Sequence, residues 1–284
     1  MDKLAIIILN YNNYKFTITA TENILSISNE IHIIIVDNNS KNESYKILTD
    51  KYKNYERIDI IKSETNSGYA KGNNLGIKYI INNYDVDYIG IMNPDVILPD
   101  IETIENCIKI LQIEKDSAIV APTMLTNNKL NFGSIAWRIS KKFDDLFLIF
   151  KNIYRKKIQY TELDIYNYKN KIFYSNVEVL PGSFFIMKKN MLIEIDYLDE
   201  ETFLYCEERI LAKKIKNIGK KSFLIVNNYF YHNHIDNYEK NDFYFNTYIN
   251  SLIYFNKKYN NKGKMVSKII KFYKIFYKIK GWLH

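Results

Sequence analysis

Two cysteines in 284 residues, Cys107 and Cys206, cannot build a disulfide framework, so a reducing compartment is the expected setting. Nine glycines and four prolines are few for this length, and where they cluster is therefore informative. No apolar run reaches the ~20 residues of a membrane span. The N-terminus offers only a short apolar stretch over residues 4–9. A secretory leader needs ~7–15 apolar residues and a small-residue cleavage site. The expected location is the cytoplasm, or the surface of a membrane rather than its interior. Acidic residues are missing after Asp242, where nine lysines occur. Taking those nine from the net charge of +8 leaves the first 242 residues at about −1. A nucleic-acid binder carries its basic charge on the folded domain, so no nucleic-acid partner is expected. What is present is ordinary globular material, 47% hydrophobic and 25% charged, which excludes disordered, collagen-like and coiled-coil chains.

The first 125 residues alternate continuous apolar runs with amphipathic stretches. Strands are expected at 4–9, 31–36, 58–62, 88–92 and 118–122, with helices at 14–28, 43–52, 71–82 and 101–115. Continuous apolar strands separated by helices predict an α/β fold, a mostly parallel central sheet with helices on both faces. Residues 126–176 are less regular, with short strands expected near 130–139. A loop with Lys141, Lys142, Lys151, Arg155, Lys156 and Lys157 among Phe and Tyr follows. Order returns at 177–180, the turn Pro181-Gly182, and 183–187. Then come a helix carrying Glu207-Glu208 to about Asn217, strand-like runs at 222–226 and 229–231, and His232-Asn233-His234. The expected division is a domain over 1–240, in two halves (1–125 and 126–240), followed by a helical, basic tail over 241–284.

Three strands end in polar clusters: Asn10-Tyr11-Asn12-Asn13, Asp37-Asn38-Asn39-Ser40 and Asn93-Pro94-Asp95. Ligands of open α/β sheets bind outside the carboxyl ends of the strands, so these clusters describe a polar crevice. Asn, Asp and Ser also cap helices, but three such ends together favour the crevice. Gly68, Gly72 and Gly76 fall within 66–76, where a strand passes into a helix. Their spacing matches neither the dinucleotide fingerprint nor the P-loop. Asp37 suits ribose hydroxyls or a base N–H, and Asp95 is a hard oxygen ligand for Mg2+ or Mn2+ bridging phosphates. Glu207-Glu208 sit among Phe203, Leu204, Tyr205 and Cys206, where desolvation and mutual repulsion raise one pKa towards that of a general base. His232 and His234 present both rings on one strand face, as metal or phosphate partners.

Taken in order, Ile7-Ile8-Leu9-Asn10-Tyr11-Asn12, Ile35-Val36-Asp37-Asn38-Asn39-Ser40, the segment 66–74, Met92-Asn93-Pro94-Asp95, Pro181-Gly182-Ser183, Phe203 to Glu208 and Tyr231 to His234 resemble the family-2 glycosyltransferases of GT-A fold. The likeness is strongest to the rhamnosyltransferase-like branch of bacterial surface-polysaccharide synthesis, and it covers roughly residues 3–235. The resemblance implies an inverting sugar transfer from a nucleoside-diphosphate sugar to a glycan or lipid-linked acceptor. It implies that Asn10, Tyr11, Asn12, Asp37, Asn66, Gly68, Asn74, Asn93 and Asp95 hold the nucleotide sugar. Gly182 then lies on the acceptor side. Glu208 is the base with Glu207 beside it, and Asp95 with His232 or His234 binds Mg2+ or Mn2+. The sequence departs from the pattern twice: one carboxylate stands where two are usual, at Asn93-Pro94-Asp95, and Ile210 replaces a further Asp.

A nucleotidyltransferase of similar fold would want a glycine-rich loop near residues 10–15, which contain no glycine. A catalytically degenerate, membrane-docking relative is the non-enzymatic alternative, motivated by Ile210 and the thin metal motif. In the tail, Lys264, Lys268, Lys271, Lys274 and Lys278 recur at helical spacing, with Met265, Val266, Ile269, Ile270, Phe272, Tyr273, Phe276, Tyr277, Ile279 and Leu283 around the rest of the circumference. Ile275 and Trp282 interrupt the lysine side. A basic amphipathic helix of this kind predicts binding to an anionic membrane surface, peripheral on the inner face of the cytoplasmic membrane. Packing on the body or on a second subunit, as in a homodimer, is the competing account.

Overall fold

Ile6, Ile8, Ile33 and Ile35 point to one side of a central sheet, and Ala5, Ile7, Ile34 and Val36 to the other. All eight are buried without exposure. A strand apolar at every position must be covered on both faces, as the sequence requires. The computed structural model describes residues 3–141, 143–149, 158–160, 162–232, 242–260 and 263–281.

The elements of the first half are β1 (Leu4–Asn10), α1 (Tyr14–Ile27), β2 (His32–Asp37), α2 (Ser44–Tyr52), β3 (Ile58–Lys62), α3 (Tyr69–Asn83), β4 (Tyr88–Met92), β5 (Val96–Ile97), α4 (Glu102–Ile113) and β6 (Ser117–Thr126). The second half holds β7 (Lys129–Leu130), α5 (Phe132–Ile135), a short 3-10 helix (Asp144–Ile149), β8 (Tyr166–Tyr168), β9 (Ile172–Val177), β10 (Phe184–Lys188), α6 (Lys189–Glu194), α7 (Glu207–Asn217), β11 (Lys221–His232), α8 (Asp242–Tyr259) and α9 (Gly263–Gly281).

The sheet runs β3-β2-β1-β4-β10-β6-β11-β9-β8, with β5 on β11 and β7 on β6. The expected parallel order holds for β1 to β4. Beyond them the sheet is mixed: β10 enters antiparallel between β4 and β6, and β9 runs antiparallel to β11. A strand that arrives late in the chain and inserts centrally leaves no mark on the local apolar pattern. The two strand-like runs at 222–226 and 229–231 are one strand, β11, irregular between Ile225 and Tyr229.

Helices α1, α2 and α4 cover one face through Ile24, Leu48, Tyr52 and Leu111. Helices α3, α6 and α7 cover the other through Ile77, Ile80, Leu192 and Ile215. Burying one such isoleucine or leucine contributes about 1.5–3 kcal/mol. A third apolar cluster joins α7 to α8 and α9 through Ile210, Ile249, Leu252, Phe255, Val266 and Ile270. The helical tail therefore packs part of its apolar surface on the body. Lys264, Met265, Lys268, Ile269, Lys271 and Phe272 stay exposed, and Lys274 donates to Asn250 Oδ1 at 2.8 Å. Lys151, Arg155, Lys156, Lys157, Asn233, His234, Trp282 and Leu283 lie outside the described residues, as do the side chains of Tyr273, Ile275, Phe276, Tyr277, Lys278 and Ile279.

Candidate active site

Tyr205 and Cys206 both take left-handed backbone angles, φ 74° and 68°. For L-residues this conformation costs roughly 1–2 kcal/mol each. Strain of this kind persists where the surroundings over-determine it, and it clusters at functional sites. The turn it makes delivers Glu207 and Glu208 to the first turn of α7. There the helix dipole favours carboxylates.

The two carboxyls open onto a cleft of about 290 Å³ walled by Tyr69, Asn93, Trp137, Gly182, Tyr205 and His232. Burial, then the neighbouring Glu208 charge, pushes the Glu207 carboxyl up to about 8. Its Oε1 is buried with no hydrogen-bond partner among the described residues. Burial also raises Glu208, but the Arg209 guanidinium and the Gly182 N–H, which donates to it, work in the opposite direction. At neutral pH the Glu207 carboxyl, held at about 8, is protonated.

The glycine-rich segment reaches this turn from α3. Gly68 has φ +96°, and a Cβ there would stand 2.1 Å from the carbonyl oxygen of Phe203, so only glycine fits. The next residue seals the contact: the Tyr69 N–H donates to that same carbonyl at 2.9 Å. Its hydroxyl donates to the Gly182 carbonyl at 2.6 Å. Burial and the two glutamates push that hydroxyl well above its ordinary range.

Asp95 follows β4, and His232 ends β11, where the short β5 pairs antiparallel with it. The Asp95 Oδ1 and His232 Nε2 atoms are 3.2 Å apart. Asn93 is tied to the opposite wall, its N–H donating to the Ser183 carbonyl at 2.7 Å. Among the described residues no group of three or more His, Cys, Asp or Glu is arranged to hold a metal ion by itself. The Asp95 and His232 pair is an oxygen and a nitrogen donor. That set fits Mg2+ or Mn2+ when phosphate oxygens supply the remaining positions.

The other expected residues sit differently. Asn10 and Asp37 are fully buried, and Asn10 Nδ2 donates to Asp37 Oδ2 at 2.8 Å. Asp37 also takes the Ser40 N–H at 2.9 Å, so the pair locks the ends of β1 and β2 together beneath the crevice. Tyr11 is exposed above them, and Asn12, with φ 56°, takes the Lys41 N–H on its side chain. Asn66 accepts from Asn38 Nδ2 and from the Gly68 N–H, holding the glycine turn. Asn74 is buried and spent on the 198–200 loop, donating to the Leu198 carbonyl and Glu200 and accepting from the Leu198 N–H. Tyr69 and Trp137 were not singled out by sequence reasoning. Tyr69 lies inside the glycine-rich segment, whereas nothing local marks Trp137.

The pattern of glycosyl transferase family 2 matches residues 5–196. The chain belongs to that family. The Haloferax volcanii low-salt glycan biosynthesis hexosyltransferase Agl10 is 25% identical over 209 residues, which cover 73% of this chain and 60% of Agl10. Among solved structures, the Pyrobaculum calidifontis mannosyltransferase PcManGT, in complex with GDP-Man and Mn2+, is similar at a TM-score of 0.57 and 13% identity, over 83% of this chain and 58% of that one. GalNAc-T7 with UDP, GalNAc and Mn2+ aligns at a TM-score of 0.63 and 12% identity, over 84% and 44%. S. aureus TarS 1-349 aligns at 0.54 and 18%, over 81% and 60%. At such identities the structures establish the GT-A architecture shared with this family-2 chain. The chain spans three fifths or less of the length of these relatives.

Proposed function

We propose that the protein is an inverting glycosyltransferase that moves a hexosyl or deoxyhexosyl unit from a nucleoside-diphosphate sugar to a hydroxyl of a glycan or lipid-linked acceptor. The observation that carries this reading is the Glu207-Glu208 pair, which opens α7 in the cleft that His232 also lines. The acceptor hydroxyl gives its proton to Glu208 as its oxygen attacks the anomeric carbon, and the bond to the diphosphate breaks on the opposite face. Gly182 orients the receiving carboxylate, and placement of this kind supplies much of the rate. Glu207, protonated at neutral pH, spares the site a second negative charge. Asp95 and His232 would hold a divalent ion; when bound, it neutralises charge gathering on the leaving diphosphate. Mn2+ together with GDP-Man in one structural neighbour, and with UDP and GalNAc in another, supports this part of the reading.

A rhamnosyl-type donor and a role in surface-polysaccharide synthesis belong to the same proposal, as does the assignment of Tyr11, Asn12 and Asn66 to the nucleotide. The name of the archaeal relative supports a glycan product. No described helix is long and apolar enough to cross a membrane. The exposed Met265, Ile269 and Phe272 alternate with Lys264, Lys268 and Lys271 along α9, which supports docking on an anionic lipid surface. The deciding experiment is a screen of UDP-, GDP- and dTDP-sugars for released nucleoside diphosphate, run with wild type and Glu208→Gln, with and without EDTA. No release from any donor, or equal release by the variant, overturns the proposal.

A further inference from the structure

Arg209 follows Glu208 directly, yet it points away from the cleft into a buried polar cluster. Its Nη2 lies 2.8 and 2.9 Å from the two Asp145 oxygens, and it also meets Ser140 Oγ. Asp145, in the 3-10 helix, is 1% exposed. It accepts from Asn256 Nδ2 of α8 at 2.7 Å and from Ser140 Oγ at 3.1 Å. Phe255 places its ring 4.2 Å from the guanidinium carbon, and Cys206 Sγ lies 4.0 Å from Nη1. A buried ion pair in which one guanidinium nitrogen meets both carboxylate oxygens, with Asn256 and Ser140 also on that carboxylate, is tightly restrained. A buried ion pair is a poor source of net stability, so its presence directly behind the catalytic turn calls for another account.

We infer that Arg209 is a positioning residue for Glu208, itself held by Asp145 and Asn256, so that the C-terminal helical pair is built into the catalytic helix. The inference rests on the reading of Glu208 as the base. Among the described residues the guanidinium is the cation that favours the Glu208 carboxylate, and Asp145 fixes how far it stands from that carboxylate and how much of its field is compensated. The other titratable groups around Glu208 are Glu207 on the same helix, Tyr69 from α3 and Cys206 from the turn. Glu178 lies on the sheet side and His232 across the cleft. Glu207, Glu178, Tyr69 and Cys206 add no positive charge. The same Asn256 sits where the tail turns back: its carbonyl lies so close to Gly263 that a Cβ there would meet it at 1.4 Å. The hairpin geometry of α8 and α9 therefore reaches Glu208 through Asn256, Asp145 and Arg209.

The test uses full-length protein carrying 13C at the glutamate side-chain carboxyl carbon, with the Glu208 resonance identified by its disappearance in Glu208→Gln. Asp145→Asn leaves the guanidinium uncompensated, and the Glu208 midpoint should fall by about half a unit to one unit. Arg209→Met should raise it by a similar amount, and Arg209→Lys, which keeps the charge, should restore most of the wild-type value. Should the single variants not fold, Arg209→Met combined with Asp145→Leu removes both charges in apolar form. The midpoint must then rise. Lowered thermal stability with an unmoved midpoint, or shifts in one direction for both Asp145→Asn and Arg209→Met, overturns the inference. Turnover of Glu208→Gln judges the base assignment separately: its retention removes that assignment, whereas its loss with an unmoved midpoint removes only the role of Arg209.

Discussion

Gly182 and Glu208 meet so closely that a Cβ on Gly182 would stand 3.1 Å from both Cγ and Oε1 of the glutamate. The same glycine gives its N–H to that carboxylate. Gly182→Ala therefore displaces the Glu208 carboxylate by a few tenths of an ångström. Turnover should fall at least about tenfold, since misplacement of about 1 Å costs on the order of 10² in rate. Donor KM and Tm should stay near wild type. An alanine variant with wild-type turnover would show that the contact does not govern the chemistry.

Glu208→Gln preserves shape and removes the proton acceptor. Turnover should drop by about 10²–10⁴ with nucleotide affinity intact, as read by calorimetry alongside kinetics. Burial holds Glu208 above the ordinary glutamate range, so wild-type turnover should rise with pH through a midpoint higher than ~4.3. A profile flat from about pH 4 to pH 7 would contradict the assignment.

Glu207 supplies a stability signature. Its carboxyl titrates at about 8 in the folded chain against 4.5 as the ordinary value. The folded state therefore binds the extra proton between these limits. The contribution is fully present below the lower value and is lost as pH rises through the upper one. Wild-type Tm should decline between about pH 5 and pH 8.5, by about 2–4 °C for each kcal/mol lost at this chain size. Glu207→Gln should flatten that decline. Parallel curves for the two proteins would place the proton elsewhere.

Asp95 and His232 are held 3.2 Å apart beside the cleft. Asp95→Ala should weaken donor binding and its dependence on Mn2+ together. Calorimetry giving the same donor affinity for wild type and variant, with and without Mn2+, counts against the pair as an ion site. Full wild-type activity in EDTA would remove the metal from the reaction.

Replacing Lys264, Lys268 and Lys271 by Glu in the full chain should abolish co-sedimentation with anionic vesicles at low salt, since each lysine contributes about 1 kcal/mol near such a surface. Phe272→Ser should weaken it independently of salt. Vesicles that never bind wild type, together with a concentration-dependent dimer lost in Phe272→Ser, would assign this face to a second copy.

Strand apolarity and helix periodicity are local properties of consecutive residues, so the strands and helices of the first half are legible in the chain alone. Glu207, Glu208, Asp95 and His232 stand out as candidates by residue type and position at element ends, and the structure places Glu207, Glu208 and His232 at one cleft with Asp95 beside His232. Only the tertiary structure decided which polar residues face the crevice. Asn10 with Asp37, and Asn74 with the 198–200 loop, turn inward because partners distant in the chain satisfy them, and no local pattern distinguishes a bound ligand from a buried partner. The central placement of β10, the Tyr69 bond to Gly182 across 113 residues and the Arg209 pair with Asp145 across 64 are all products of long-range packing. Each couples segments whose meeting depends on how the layers stack, which the composition of neither segment records.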